Sequence, residues 1–371
     1  MKKVLYINRH ESGGAGKSGE AIFRIFSDLG FEVVHYNGVF RNNFLLKFHR
    51  LFAKLKFTSD IFNYSQIPLF KHSRLASYHS VILNWFGDGV FDLKSLVDFK
   101  GKIFVVVHDI YPFTGGCHYS NFCTDYSTGC TNCPNALFEL SKTFIRYERN
   151  IKMKVFNRDN VYFIYPSNNY KSSFKELYTL AKHINIKNVI DVGSFKFDKV
   201  RRLVEGPIRI VFGASDFDDP RKGMKLLKDA IGNLQLKDYN VDFISFGKSS
   251  ISLDNVFHFG TINQKEVLEL LGASDYLVFP SLEENYSYIV LESLVSGCPV
   301  IAFNVGGNSE LITNGENGFL IEPSELEDFL EGIIKTGKRL WFDPKKIMDN
   351  HSYDQIKLMW RQVLDGTLPS Q

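Results

Sequence analysis

Short runs of β-branched and aromatic residues recur along this chain with helix-length stretches between them, and that alternation most narrows the folds open to it. The first series is Val4 to Ile7, Val81 to Leu83, Ile103 to Val107 and Val161 to Tyr165. Runs that are apolar throughout, rather than alternating, suit strands buried on both faces, so a parallel sheet covered by helices on either side is expected. A second series, Ile208 to Phe212, Val241 to Phe246, Tyr276 to Phe279 and Pro299 to Phe303, repeats the pattern. Between the two, from Asp191 to Pro207, the strand pattern pauses and Gly193, Gly206 and Pro207 interrupt the chain, which places a hinge there. With 371 residues, one core is not expected to hold everything. The expectation is α/β: two doubly wound domains, 1–195 and 196–351, with a C-terminal helix over about 352–371 packing back on the first.

Composition excludes several classes. Hydrophobic residues at 44% and charged residues at 23% leave disorder, collagen and coiled coil without support. Lys and Arg number 44 against 41 Asp and Glu, and a balance of +3 is too small for a surface devoted to nucleic acid. No apolar run reaches the length of a membrane span, and Met1-Lys2-Lys3 leads into a strand-like run rather than a signal-peptide core, so a cytoplasmic protein is expected.

Ligands of open α/β sheets bind beyond the carboxyl ends of the strands, so the loops there are where chemistry is sought. After the first strand comes Ser12-Gly13-Gly14-Ala15-Gly16-Lys17-Ser18, whose glycines would let backbone amides approach a phosphate at the start of the next helix. The first glycine of a Walker loop would fall at Glu11, so an ATPase is rejected. Pro280 to Val300 is more specific. Glu284 precedes a helix starting near Tyr286 and Glu292 lies within it, while the amides of Asn285, Tyr286 and Ser287 would meet an anion at the positive helix end. Carboxylates that accept from hydroxyls beside amides that hold phosphate suit a sugar joined to a phosphate. Taken alone, the plainer reading wins: Glu283 and Glu284 favour a helix N-terminus and Glu292 is a solvated helix residue.

Five cysteines in a reducing compartment are thiols or metal ligands before they are bridges, and four of them crowd together as Cys117, Cys123, Cys130 and Cys133. The last pair has the spacing of a zinc turn, and four thiolates close a tetrahedral site, so a structural zinc is the first reading; two disulfides or four reduced thiols are the alternatives. A catalytic metal is not expected, because such a site has no open position. No acidic residue lies between Glu32 and Asp60, and Lys47, Arg50 and Lys54 flank an apolar stripe of Phe44, Phe48, Leu51, Phe52 and Leu55. The segment 41–57 is therefore expected to be a basic amphipathic helix suited to an anionic membrane surface, against the plainer reading of a scaffold helix.

Pro280-Ser281-x-x-Glu284-x-Tyr286-Ser287, Leu291-Glu292, Gly297-x-Pro299-Val300, Gly306-Gly307-x-x-Glu310 and Gly315-x-x-Gly318 together resemble the C-terminal signature of the retaining family 4 glycosyltransferases of GT-B fold. Gly13-Gly14-Ala15-Gly16, Pro166-Ser167-Asn168 and Asn188-Val-Ile-Asp191 resemble earlier segments of that family. His108-Asp109-x-x-Pro112-x-Thr114-Gly115-Gly116-Cys117-His118 resembles a subgroup of bacterial polysaccharide synthesis, of the O-antigen, capsule and exopolysaccharide kind. The resemblance implies two Rossmann-like domains facing across a cleft. It implies transfer of a sugar from a UDP- or GDP-type nucleotide diphosphate sugar to a lipid-linked glycan acceptor, with retention and without a cofactor in catalysis. Catalytic roles are implied for His108, Lys222 and Glu284, with donor contacts from Gly13, Gly14, Arg221, Asn285, Tyr286, Ser287 and Glu292. The arginine the family carries earlier is absent from its place, so either Arg221 substitutes for it or the leaving group relies more on Lys222 and the glycine loop. A sugar-nucleotide epimerase of the same fold and a noncatalytic zinc-containing adaptor are the rival readings.

Overall fold

The computed structural model describes residues 1–9, 13–37, 75–87, 90–120, 123–134, 136, 138–190, 206–214, 216–235, 237, 239–248, 253 and 256–368. The expected amphipathic helix at 41–57 lies outside these residues, as does most of the expected hinge. The chain divides into two units, Met1–Lys187 with Lys357–Gln371, and Asn188–Ile356.

In the first unit the order is β1 (Lys3–Asn8), α1 (Gly13–Asp28), β2 (Glu32–Tyr36), β3 (Ser80–Trp85), β4 (Lys102–Val106), α2 (Glu139–Phe156), β5 (Val161–Tyr165), α3 (Lys171–Leu177) and β6 (Lys182–Asn185). The six strands form one parallel sheet in the order β2-β1-β3-β4-β5-β6. Burial explains the sequence pattern: every residue of β5 is buried, as a strand covered on both faces requires. In the second unit come β7 (Ile208–Ala214), α4 (Met224–Gln235), β8 (Val241–Gly247), β9 (Val256–His258), α5 (Gln264–Gly272), β10 (Tyr276–Phe279), α6 (Tyr288–Val295), β11 (Val300–Phe303), α7 (Asn308–Leu311), β12 (Gly318–Ile321), α8 (Leu326–Thr336) and α9 (Lys345–Asn350). Its parallel sheet runs β12-β11-β10-β7-β8-β9. Local signals set the helix ends: Asn263 and Glu266 cap α5 reciprocally, and Gly337, at φ 61°, closes α8 in the left-handed conformation.

The last helix, α10 (Tyr353–Asp365), joins the first unit from Lys357 onward. Trp360 is 1% exposed and packs edge-on against Phe26 of α1 and Phe104 of β4. Lys102 Nζ donates to the Leu364 carbonyl at 2.7 Å.

Both sheets place their sites the same way. Strand order reverses between β1 and β3 in one and between β7 and β10 in the other, so the loops after those strands diverge and leave a crevice at each switch point.

Candidate active site

In the second unit the loop after β7 ends in Asp219, a single 3₁₀ turn Pro220–Lys222, and Gly223. The loop after β10 runs from Pro280 to Ser287, ahead of α6. The two are joined by backbone: Leu282 N–H donates to the Arg221 carbonyl at 2.7 Å. Gly223 permits this approach, because at φ 63° a Cβ there would stand 1.9 Å from the Pro280 carbonyl oxygen. The result is an ion pair between Lys222 Nζ and Glu284 Oε1, whose carboxylate also accepts from Ser281 Oγ at 3.0 Å. Two of the residues singled out from sequence are thus brought together.

Gly306 supports the pair from the other side. At φ 56° a Cβ there would meet the Glu284 carbonyl at 1.9 Å, and Gly307 N–H donates to the Asn285 carbonyl at 2.7 Å. Helix α6 begins at Tyr288, later than the expected Tyr286, because Ser287 keeps an extended backbone as its N-cap. Glu292 is buried, 3% exposed, and accepts from Gln264 Nε2 at 3.2 Å, so it is not a solvated helix residue. Asn285, Tyr286 and Ser287 are buried as well. Burial pushes the Tyr286 phenol up from its ordinary range, with Glu310 adding to the effect. Its hydroxyl lies 2.7 Å from His351 Nε2, a partner that sequence reading missed. The Arg221 guanidinium is turned to Asp219.

In the first unit Gly13 and Gly14 form the opening turn of α1, with Gly13 at φ 71°, rather than a free loop. His108 follows β4, and its Nε2 lies 3.0 Å from Asn84 Oδ1 at the end of β3. Asn84 Nδ2 donates to Asn8 Oδ1 at 3.1 Å and to the Ala15 carbonyl at 3.0 Å. A small cleft is lined by Asn84, Trp85, His108, Asp109 and His118 among others. His118 Nδ1 lies 2.6 Å from Asp109 Oδ2, and its ring is sandwiched between Trp85 and Tyr111 at centroid distances of 4.8 and 4.6 Å. Burial works to raise the Asp109 carboxyl, but the His118 ring and its hydrogen bond, aided by Tyr111 N–H, hold it below the ordinary carboxylate range. Asn84 had one signal in the sequence, a polar residue closing an apolar strand run.

No disulfide joins the five cysteines. Cys130 and Cys133 are buried against Ile145, with Cys117 packed alongside. Burial pushes the Cys130 thiol up. Among the described residues no group of three or more His, Cys, Asp and Glu side chains is arranged to hold a metal, so these residues as placed do not fit the expected zinc.

Residues 207–338 match the family model described as Glycosyl transferases group 1. The chain is 26% identical over 260 residues to WcaC of Escherichia coli (strain K12), a glycosyl transferase named for colanic acid biosynthesis, covering 64% of this chain and 62% of that protein. It is 33% identical over 104 residues to a UDP-Gal:alpha-D-GlcNAc-diphosphoundecaprenol alpha-1,3-galactosyltransferase of Escherichia coli, covering 25% and 27%. The chain thus spans less than two thirds of the length of the curated relatives it matches. Among solved structures, Alr3699/HepE of Anabaena in complex with UDP-glucose superposes with a TM-score of 0.60 at 17% identity, covering 99% of this chain and 100% of that one. The Lys222–Glu284 pair falls inside the matched segment, so residues 207–338 are similar to the Glycosyl transferases group 1 family, in a chain of GT-B-like fold.

Proposed function

We propose that this protein is a retaining glycosyltransferase that moves a sugar from a nucleotide diphosphate sugar to a lipid-linked glycan acceptor. The observation that carries the reading is the Lys222–Glu284 pair at the switch point of the second sheet, within the group 1 glycosyl transferase match. In the reaction the bond from the anomeric carbon to the diphosphate oxygen breaks, and negative charge grows on the leaving diphosphate. The Lys222 ammonium and the N–H groups that open α6 are the chain's means of stabilising that charge. The Glu284 carboxylate accepts from sugar hydroxyls, Glu292 serves the ribose, and the acceptor hydroxyl attacks from the face the diphosphate leaves, its proton passing to the departing diphosphate oxygen. His108 is kept as a contact to the donor sugar, on the resemblance of its motif.

Relatives inform the finer choices. The solved neighbour carries UDP-glucose and a relative is named for UDP-Gal and a diphosphoundecaprenol acceptor, which favours UDP over GDP and a lipid-linked acceptor. Among the described residues no helix is long and apolar enough to cross a membrane. Contact with a membrane surface is therefore assigned to the basic segment 41–57. Sedimentation with anionic vesicles tests it: binding is expected at low salt and to be lost on charge reversal of Lys47, Arg50 and Lys54.

A panel of UDP- and GDP-sugars tests the reaction. One donor should raise the unfolding temperature by mass action, and with a lipid diphosphate acceptor it should yield a product of the same anomeric configuration. An inverted product would rule out retention, and interconversion of the donor without acceptor would favour the epimerase.

A further inference from the structure

We propose that Asn84 is a positioning residue that fixes the His108 imidazole as its Nε2–H tautomer and ties the ring to the first turn of α1. A carbonyl oxygen can only accept, and the Ala15 carbonyl lies 3.0 Å from Asn84 Nδ2, so the amide's NH₂ end is the one turned to α1. Its second hydrogen goes to Asn8 Oδ1 at 3.1 Å. The opposite end, Oδ1, is then the atom 3.0 Å from His108 Nε2. That oxygen can only accept as well, so Nε2 carries the hydrogen and the neutral ring keeps its lone pair on Nδ1. Asn84 is 1% exposed, which leaves no solvent to relax the arrangement.

The surroundings are built around this amide. A Cβ at Gly19 of α1 would stand 2.2 Å from Tyr6 Oη, 2.6 Å from Asn8 Nδ2 and 2.8 Å from Asn84 Nδ2, so only glycine lets the helix settle on the two asparagines. Asn8 and Asn84 end the neighbouring strands β1 and β3 at the first sheet's switch point, and both Asn84 and His108 line the cleft there. A neutral ring in this tautomer can accept but not donate at Nδ1. Asn84 thereby sets which chemical groups His108 can serve. This consequence for activity rests on the reading of His108 as a sugar contact; the tautomer does not.

Long-range proton–nitrogen NMR of the full chain with ¹⁵N-labelled histidine, at a pH where the ring is neutral, reads the tautomer directly. Wild type should show a protonated Nε2 and a bare Nδ1. Asn84→Ala should show both tautomers, and should lower kcat/KM for the nucleotide sugar by about ten- to a hundredfold with the response to bare nucleotide unchanged. Asn84→Asp keeps an acceptor for Nε2–H but loses the donor to Ala15, so it should restore the tautomer without restoring full turnover. Hydrogen on Nδ1 in wild type would overturn the inference, and would do so even if Asn84→Ala failed to fold. Wild-type tautomer and turnover in Asn84→Ala would also overturn it. Absence of transfer by wild type from every nucleotide sugar would instead sink the proposed function and leave the spectrum to decide the tautomer.

Discussion

Lys222 shows how much one residue owes to its immediate neighbours. A lysine before a glycine after the first strand of the second unit is visible in the sequence, but the carboxylate it meets lies in another loop. If the ammonium stabilises the departing diphosphate, Lys222→Ala should lower kcat on the order of 10²- to 10³-fold, the usual scale for deleting such a group. Near-normal turnover at saturating donor would remove it from that role. Lys152 is the residue composition could not flag. It is fully buried in α2, donates to the Tyr111 and Thr114 carbonyls at 2.8 and 2.9 Å, and lies over the Tyr111 ring. Burial, opposed chiefly by Glu148, lowers its pKa from 10.5 to about 8. A lysine whose folded pKa is depressed destabilises the fold wherever both states are charged, here below about pH 8. That cost lifts as pH climbs from the folded to the unfolded pKa. Between pH 8 and 10.5, therefore, unfolding free energy should rise in wild type relative to Lys152→Met, and parallel denaturation curves would show that this lysine does not titrate there.

At the scale of elements, two glycines of the second site behave differently from a glycine in a helix. Gly223 combines φ 63° with a Cβ position 1.9 Å from the Pro280 carbonyl. Gly223→Ala should therefore destabilise by roughly 2 kcal/mol or more, and should cut activity by displacing Lys222. Gly332 in α8 has no atom within 4 Å of a Cβ. Gly332→Ala should stabilise by about 0.5–1 kcal/mol, and thermal melts of the two variants should move in opposite directions. The cysteine segment gives a chemical test. Cys130 and Cys133 are buried, so in native protein they should react slowly with a thiol reagent, and all five cysteines should titrate on unfolding. Metal analysis showing about one zinc per chain would restore the four-thiolate reading. Strands divide along the same line: the expected runs became the inner strands β1, β3, β4 and β5 and β7, β8, β10 and β11, while β2, β6, β9 and β12 went unread. All four missed strands are sheet edges. An edge strand is covered less completely, as in β2, where no residue is buried, so its sequence lacks the unbroken apolar run.

For the molecule as a whole, the C-terminal helix is the element that chain order misplaces. It follows the second unit, yet Trp360 fills the first unit's core between Phe26 and Phe104. Trp360→Ala should destabilise by about 3–5 kcal/mol, and hydrogen exchange should show the loss in β1, β4 and α1 rather than in the second sheet; the reverse distribution would contradict the packing. The sequence alone determined the inner strands of both sheets, the glycine turn after β1 and the carboxylates flanking the start of α6, because each is written in adjacent residues through burial on both faces, φ above zero or a helix end. Tertiary structure alone decided the edges, the aromatic partners that hold α10 on the first unit, the pairing of Lys222 with Glu284 and the amide that orients His108. Those depend on which strands lie side by side, and partners 62 positions apart, or 262 for Lys102 and Leu364, leave no local pattern by which to find each other.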